Sequence, residues 1–133
     1  MKRALIAATI YFLMLFTLGF LLGTIRVMIV APRVGELAAT AAEAPVMLVA
    51  ALFACRWAVR RWRVPPQAVL RWIMALAFFA LLLVSEASLG AILFDRTLAE
   101  QWAALRTPAG VLGLSAQVIA ASLPLRVGMR ETR

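Results

Sequence analysis

Four long apolar runs constrain what this chain can fold into. The first, at residues 4–25, carries no charge, and a helix needs only about 20 apolar residues to cross a bilayer. Hydrophobic residues make up 65% of the chain, whereas a soluble domain has about 45–50% apolar residues. The sequence therefore predicts an all-α, polytopic membrane protein. We expect a bundle of four transmembrane helices in one membrane domain covering residues 1–133.

The limits of the predicted spans follow from the residues at their ends. Pro32 is expected to end the first helix, because the residue before a proline avoids the α region. Thr107 and Pro108 suit the start of the fourth helix. The first apolar run is longer than the roughly 7–15 residues of a signal peptide, which indicates an uncleaved span. The four spans cover about residues 4–31, 37–57, 69–94 and 108–125.

A short helix is predicted between spans three and four, at about residues 97–106. Leu98, Trp102 and Leu105 share one face of this helix, and Thr97 fits its N-cap. A helix with one apolar face and one polar face is typical of the membrane interface, with its axis along the surface. We therefore expect a short interfacial helix here.

Basic residues mark the side of the bundle that faces the cytoplasm. Short cytoplasmic loops retain Lys and Arg, and both predicted termini and the loop between spans two and three are basic. The positive-inside rule then places both termini in the cytoplasm, which requires an even number of spans. The basic residues on this side are Lys2, Arg3, Arg56, Arg60, Arg61, Arg63, Arg71, Arg126, Arg130 and Arg133.

The basic loop supports two interpretations. The arginines at positions 56, 60, 61 and 63 would attract anionic lipid headgroups, or they serve only to fix the topology. Arg71 and Trp72 fit the cytoplasmic interface. The net charge of +8 would suggest nucleic acid in a soluble protein. No nucleic-acid-binding pattern accompanies the charge, so we expect no nucleic-acid partner.

The cysteine and histidine content limits the kinds of site that this sequence predicts. The chain has one cysteine, Cys55, and no histidine, which excludes a disulfide within the chain. Zinc and haem sites draw on these residues, and so do the Ser-His and Cys-His pairs of nucleophilic catalysis. We therefore expect no cofactor, no metal site and no enzymatic activity.

Glu43 is a charged residue that lies within the predicted second span. Only residues 46–55 are purely apolar there, too few to cross a bilayer. The span must therefore begin near Leu37, which places Glu43 below the membrane surface. An ionisable group at that depth is costly and indicates a functional site with a partner to be found. Glu36 and Thr40 lie on the same helical face as this carboxylate.

Three further polar side chains reach the same depth from the other spans. At 1.5 Å per residue, Arg26, Glu43, Glu86 and Gln117 lie roughly 9–14 Å below the non-cytoplasmic surface. A lone charge at the centre of a span costs about 2.5–3.5 kcal/mol, so we expect Arg26 to lie between Glu43 and Glu86. Gln117 would add amide hydrogen bonds. The secondary residues of this polar cluster are Arg33, Glu36 and Thr40.

The polar cluster itself has two interpretations. One is a buried contact that fixes the register of four apolar helices. The other is a binding site for a small ligand, a lipid headgroup or an exchangeable ion, because one guanidinium faces two carboxylates. Gly19 and Gly23 form a GxxxG pattern, which lets another helix approach closely.

One set of short motifs points to a group of proteins. It consists of residues 23–27 and 31–33, Glu36, Glu43 and residues 106–110. Their arrangement resembles that of small four-span bacterial inner-membrane proteins, a group with no assigned activity. The resemblance implies a self-contained four-span unit in the bacterial inner membrane, and it brings no function with it.

Two hypotheses about function follow. In the first, the chain is an accessory or structural subunit that docks on a larger membrane assembly or on copies of itself, with Gly19 and Gly23 on a contact face. In the second, it is a small proton-coupled transporter, or a lipid- or ion-binding carrier, that works through Glu43 and Glu86. The second hypothesis rests on fold-level analogy.

Overall fold

The structure is a computed structural model, and it describes residues 1–127 of the 133-residue chain. These residues form helices joined by short connections, and no β-strand lies among them. A π-helical turn, Arg26–Val30, follows the first helix, and a 3₁₀ turn, Leu123–Leu125, follows the last. The α-helices are α1 (Lys2–Ile25), α2 (Ala31–Val34), α3 (Glu36–Arg61), α4 (Ala68–Leu93), α5 (Leu98–Leu105) and α6 (Pro108–Ser122).

Four helical segments are long and apolar enough to cross a membrane. This confirms the all-helical fold and the four apolar helices expected from the sequence. The predicted basic tail at residues 126–133 lies mostly outside the described residues. The four segments are Lys2–Val34, Glu36–Arg61, Ala68–Leu93 and Pro108–Leu125.

The first helical segment continues past Pro32, so the prediction that this proline ends it was wrong. A proline has no N–H and cannot bond the carbonyl four residues back. The π turn just before it widens the helix, and the Ala31 N–H bonds to the Arg26 carbonyl. The helix then runs to Val34, and the chain reverses at Gly35, whose φ of 87° favours glycine.

The four long segments are arranged in a ring in the order α1, α3, α6, α4. Each helix packs against its two neighbours, and over the range 1–127 the backbones of the diagonal pairs α1–α6 and α3–α4 do not approach each other closely. The α4–α6 seam has the least extensive contact of the four neighbouring pairs. Leu123–Leu125 adds a second contact with α4 beyond the end of α6.

The two ends of the ring are packed differently. We call the end with residues 1–3, the α3–α4 loop and Leu123–Leu125 the basic end, and the opposite end the distal end. The hydrophobic core occupies the half near the basic end, where small residues such as Ala7, Ala51 and Ala58 are fully buried. In the distal half, over residues 16–50 and 83–119, only Ala39 and Thr40 are buried.

The connection between α4 and α6 is built by two N-caps. The Thr97 hydroxyl oxygen accepts a hydrogen bond from the Glu100 N–H at 3.1 Å. The Thr107 hydroxyl oxygen accepts one from the Gly110 N–H, also at 3.1 Å. Both caps confirm the helix starts read from the sequence. Three apolar residues of α5 are exposed: Leu98, Trp102 and Leu105. The position of α5 at the membrane interface stays a prediction.

Gly110 offers a test of the tight α5–α6 turn. A Cβ at this position would overlap the Ala104 carbonyl oxygen, so Gly110→Ala should lower the free energy of unfolding by about 1–3 kcal/mol. Gly23→Ala is the matched control, because a Cβ there meets nothing within 4 Å among residues 1–127. It should be neutral or stabilising by up to about 1 kcal/mol. SDS titration of the protein in detergent measures both, and equal stability of the two variants would contradict the close approach.

Candidate functional site

The first contact of the polar cluster joins the end of the first helical segment to α3. Arg26 Nη1 donates to Glu43 Oε2 at 2.9 Å, and the two residues form an ion pair. Their side chains are 35% and 15% exposed, so the pair is partly shielded from solvent. Arg26 is also the first residue of the π turn. Such turns are often found at functional sites.

The second contact joins α4 to α6. Gln117 Nε2 donates to Glu86 Oε1 at 2.5 Å. Glu86 is exposed and Gln117 is half-buried. This hydrogen bond crosses the seam at which α4 and α6 pack least extensively. The four predicted residues are therefore brought together as two pairs, one on each side of the ring.

The pairing differs in one respect from the expected one. Arg26 bonds directly to Glu43, and the described part of the chain holds no direct bond between Arg26 and Glu86. The guanidinium extends to α3, whereas the Glu86 carboxylate is bonded on the side of α4 that neighbours α6. One guanidinium and two carboxylates share this layer, so its formal charge is −1.

The secondary residues lie around this layer in different settings. Thr40 is buried, and its Cγ2 lies 4.0 Å from a Cβ built on Gly113 of α6. Thr40 therefore belongs to the α3–α6 contact. Arg33 and Glu36 are exposed near the Gly35 reversal and make no hydrogen bond or ion pair with the cluster within residues 1–127.

The two glycines of the GxxxG pattern have unequal surroundings. A Cβ on Gly19 would lie 3.4 Å from Met47 Cε of α3, whereas a Cβ on Gly23 would meet nothing within 4 Å among residues 1–127. Gly19 therefore serves packing inside the bundle, and the space beside Gly23 is open. The four loop arginines predicted to attract anionic lipid are exposed at the basic end: Arg56, Arg60, Arg61 and Arg63.

Arg71 is the buried polar residue that sequence reasoning missed. The sequence placed it at the cytoplasmic interface, but its side chain is only 2% exposed. Its guanidinium donates to four carbonyl oxygens from two separate segments. The acceptors are Val64 at 3.3 Å, Pro65 at 3.2 Å, Pro124 at 3.2 Å and Val127 at 2.8 Å.

Prolines in the two segments that Arg71 contacts are the sequence feature that could have indicated its role. Pro65, Pro66 and Pro124 lack an N–H, so carbonyls near them lose backbone donors. A guanidinium carries five N–H donors in a planar fork, which suits several carbonyls at once. Arg71 thereby ties the α3–α4 loop to the end of α6.

Tyr11 completes this contact from the first helix. Its hydroxyl donates to the Ala120 carbonyl oxygen at 2.7 Å, and its ring stacks on Phe78 with centroids 4.2 Å apart. Ala120 lies four residues before Pro124, so its carbonyl has no α-helical donor; the Leu123 N–H also bonds to it. Tyr11 and Arg71 thus donate to carbonyls at the end of α6 and just beyond it.

The residue types present limit what the site can do chemically. Among residues 1–127, no group of three or more His, Cys, Asp or Glu residues gathers as a metal site would require. Cys55 is a free thiol buried in the core. Comparison of the chain with known protein families, curated proteins and solved structures gave no match. Function is therefore inferred from the polar pairs and the packing.

The Arg26–Glu43 pair can be tested with a double-mutant cycle. Arg26→Ala leaves the Glu43 carboxylate without its partner, and we expect the free energy of unfolding in detergent to fall by about 1–3 kcal/mol. Combining it with Glu43→Ala should recover part of that loss, because neither charge remains. Arg33→Ala, at an exposed site, is the control and should stay within about 0.5 kcal/mol. Strictly additive losses would contradict a direct pair.

Arg71 provides a second stability test, at the basic end. Arg71→Met keeps the apolar stem but removes the guanidinium donors to four carbonyls, three of them in buried residues, and the free energy of unfolding should fall by about 1–3 kcal/mol. Arg71→Lys should recover only part of this, since one ammonium does not reproduce the planar fork. Arg56→Met is the exposed control. SDS titration compares the three variants, and an Arg71→Met protein as stable as the control would rule out the proposed tie.

Proposed function

We propose that this chain is an integral membrane protein with four spans and both termini in the cytoplasm, in the bacterial inner membrane. Four apolar helices support this proposal, together with the large apolar residues exposed on their outer faces, such as Phe53, Leu76 and Ile92. A soluble monomer rarely exposes so much contiguous apolar surface. The resemblance to small inner-membrane proteins of four spans agrees with this location and stays a prediction.

The charge distribution supports the orientation. Among residues 1–127, every carboxylate side chain lies in the distal half, on Glu36, Glu43, Glu86, Asp95 and Glu100. The basic end carries the arginines of the α3–α4 loop. The positive-inside rule places such an end in the cytoplasm, where the loop arginines would also contact anionic lipid headgroups.

Within the membrane, we propose that the protein acts as an accessory or structural subunit of a larger assembly. The observation that carries this proposal is the incomplete packing of the distal half, where Glu86 is exposed across the least closed seam. In hydrocarbon an uncovered carboxylate costs about 2.5–3.5 kcal/mol on insertion scales. A partner that covers the α4–α6 seam removes this cost.

A proton-coupled transporter, or a carrier for a lipid or ion, is the second candidate. One observation favours it: two carboxylates share a layer with a single guanidinium. A proton or small cation that neutralises Glu86 would balance that layer. Under this alternative, Glu86→Gln and Glu43→Gln abolish proton-coupled flux in liposomes while the bundle still assembles.

Native assembly size tests the accessory function. The chain, tagged and expressed at its native level, is extracted in mild detergent and analysed by native electrophoresis and quantitative mass spectrometry. We expect a species larger than the monomer with a fixed stoichiometry. Glu86→Gln should shift material towards the monomer, because it removes the charge that the partner covers.

The control for this experiment is Glu100→Gln, which changes an exposed acid on α5. It should leave the assembly unchanged. A lone monomer in the parent protein would overturn the accessory function. Proton-coupled flux from that monomer, lost in Glu86→Gln, would establish the transporter in its place.

A further inference from the structure

The exposed side of α4 around Glu86 combines a charge with apolar surroundings. Leu83 and Leu93 lie three residues before and seven residues after Glu86, so they share its side of the helix. Both leucines are exposed, as is Glu86 itself. With Gln117 across the seam, these residues define what we call the Glu86 face. It lies on the outside of the bundle, not in the core near the basic end.

The Glu86 carboxylate has unused hydrogen-bonding capacity. Gln117 donates to Oε1, and no hydrogen bond from residues 1–127 reaches Oε2. An ionised carboxylate can accept about four hydrogen bonds. An accessible carboxylate with one bonded oxygen can therefore take a donor from outside the chain.

The chain supplies no direct cation for this carboxylate within the described residues. Arg26 is bonded to Glu43. Arg96 and Arg106 lie over the rings of Phe94 and Trp102, at 5.6 Å and 5.4 Å from the centroids. Both of these arginines belong to the α4–α6 connection, at the distal end of the bundle.

We propose that the Glu86 face binds a transmembrane helix of a different protein, which carries a Lys or Arg about 10 Å from the distal surface. The depth follows from the seven residues between Glu86 and the end of α4 at Leu93, at 1.5 Å each. The partner's cation binds the Glu86 carboxylate, and its apolar residues pack on Leu83, because Gln101 of α5 lies against α4 at Gly90, between Glu86 and Leu93. This proposal rests on the accessory function and names the chemistry of its partner.

Charge complementarity favours a basic transmembrane helix over the other possible occupants of the Glu86 face. A second copy of the chain would bring Glu86 against another carboxylate, and the cation at the same depth, Arg26, is already bonded to Glu43. A small cation such as Ca²⁺ or Mg²⁺ takes about six or more oxygen ligands, whereas this face offers one carboxylate. A lipid headgroup would have to leave the interface and descend about 10 Å to reach the carboxylate. A transmembrane helix can carry a cation to this depth, because its own backbone groups are satisfied in hydrocarbon.

The test uses the full chain in phosphatidylcholine liposomes with synthetic Leu/Ala transmembrane peptides as probes. One peptide carries a single Lys about 10 Å from one surface, and the matched peptide has Leu at that position. Energy transfer from the protein's tryptophans to a dansyl group on the peptide reports binding. We expect the Lys peptide to bind at least about tenfold more tightly than the Leu peptide.

Three variants identify the site. Glu86→Gln should remove the tenfold preference, while Glu100→Gln should keep it. Gln117→Ala should also keep it, because the carboxylate remains; circular dichroism checks that each variant is folded. Equal binding of the two peptides by the parent protein would overturn the proposal. A preference that persists in folded Glu86→Gln would overturn it as well.

Three further outcomes separate the occupants and the two proposals. Loss of the preference when phosphatidylethanolamine replaces phosphatidylcholine would show that a headgroup ammonium with N–H donors takes the face, and would overturn the helix proposal. If the native assembly persists but the two peptides bind equally well, only the proposal for the Glu86 face is overturned. The accessory function then remains supported. A native monomer whose Lys-peptide preference depends on Glu86 would support the chemistry of the face and overturn the accessory function.

Discussion

The rest of this structure depends on one constraint: polar groups among apolar helices must find partners inside the protein. The prolines show it most clearly, because each removes a backbone donor. At Pro32 the chain responds with a π turn, in which the Ala31 N–H bonds to the Arg26 carbonyl. At Pro124 it responds with side chains, since Tyr11 and Arg71 donate to carbonyls of this segment. The helices thus keep their prolines without leaving these buried carbonyls unpaired.

The same constraint divides the bundle into two unlike halves. Near the basic end, small residues let the helices approach closely, and buried donors close the end of the ring. In the distal half, two polar contacts replace the missing apolar core, Arg26 to Glu43 and Gln117 to Glu86. Polar contacts between apolar helices contribute about 0.6 kcal/mol on average in the best-measured case. The distal half is therefore held more weakly, which is the state expected of a surface that a partner completes.

The sequence was enough to predict the helices and the depth of the polar cluster, but not which of its residues bond to each other. Helical periodicity, the Thr97 and Thr107 caps and rise per residue were enough to place those features. Whether Arg26 bonds Glu43 or Glu86 depends on the order of the helices around the ring and on their rotation, and rise per residue contains neither. Arg71 could not be placed from its position alone, because its acceptors near Pro65 and Pro124 meet only in the folded chain. Pro32 showed that a widened turn can override a local stop signal.

If the Glu86 face does receive a basic transmembrane helix, assembly and stability in the membrane become linked. The exposed carboxylate and the partner's ammonium or guanidinium are each costly when alone in hydrocarbon. Contact between them removes both costs at once, and the net charge of the polar layer rises from −1 to zero. Each protein would then be less stable without the other, while the tie made by Arg71 keeps the basic end folded in the meantime. The bundle is tightly packed at the basic end and loosely packed in the distal half. It can therefore stay folded before a partner binds.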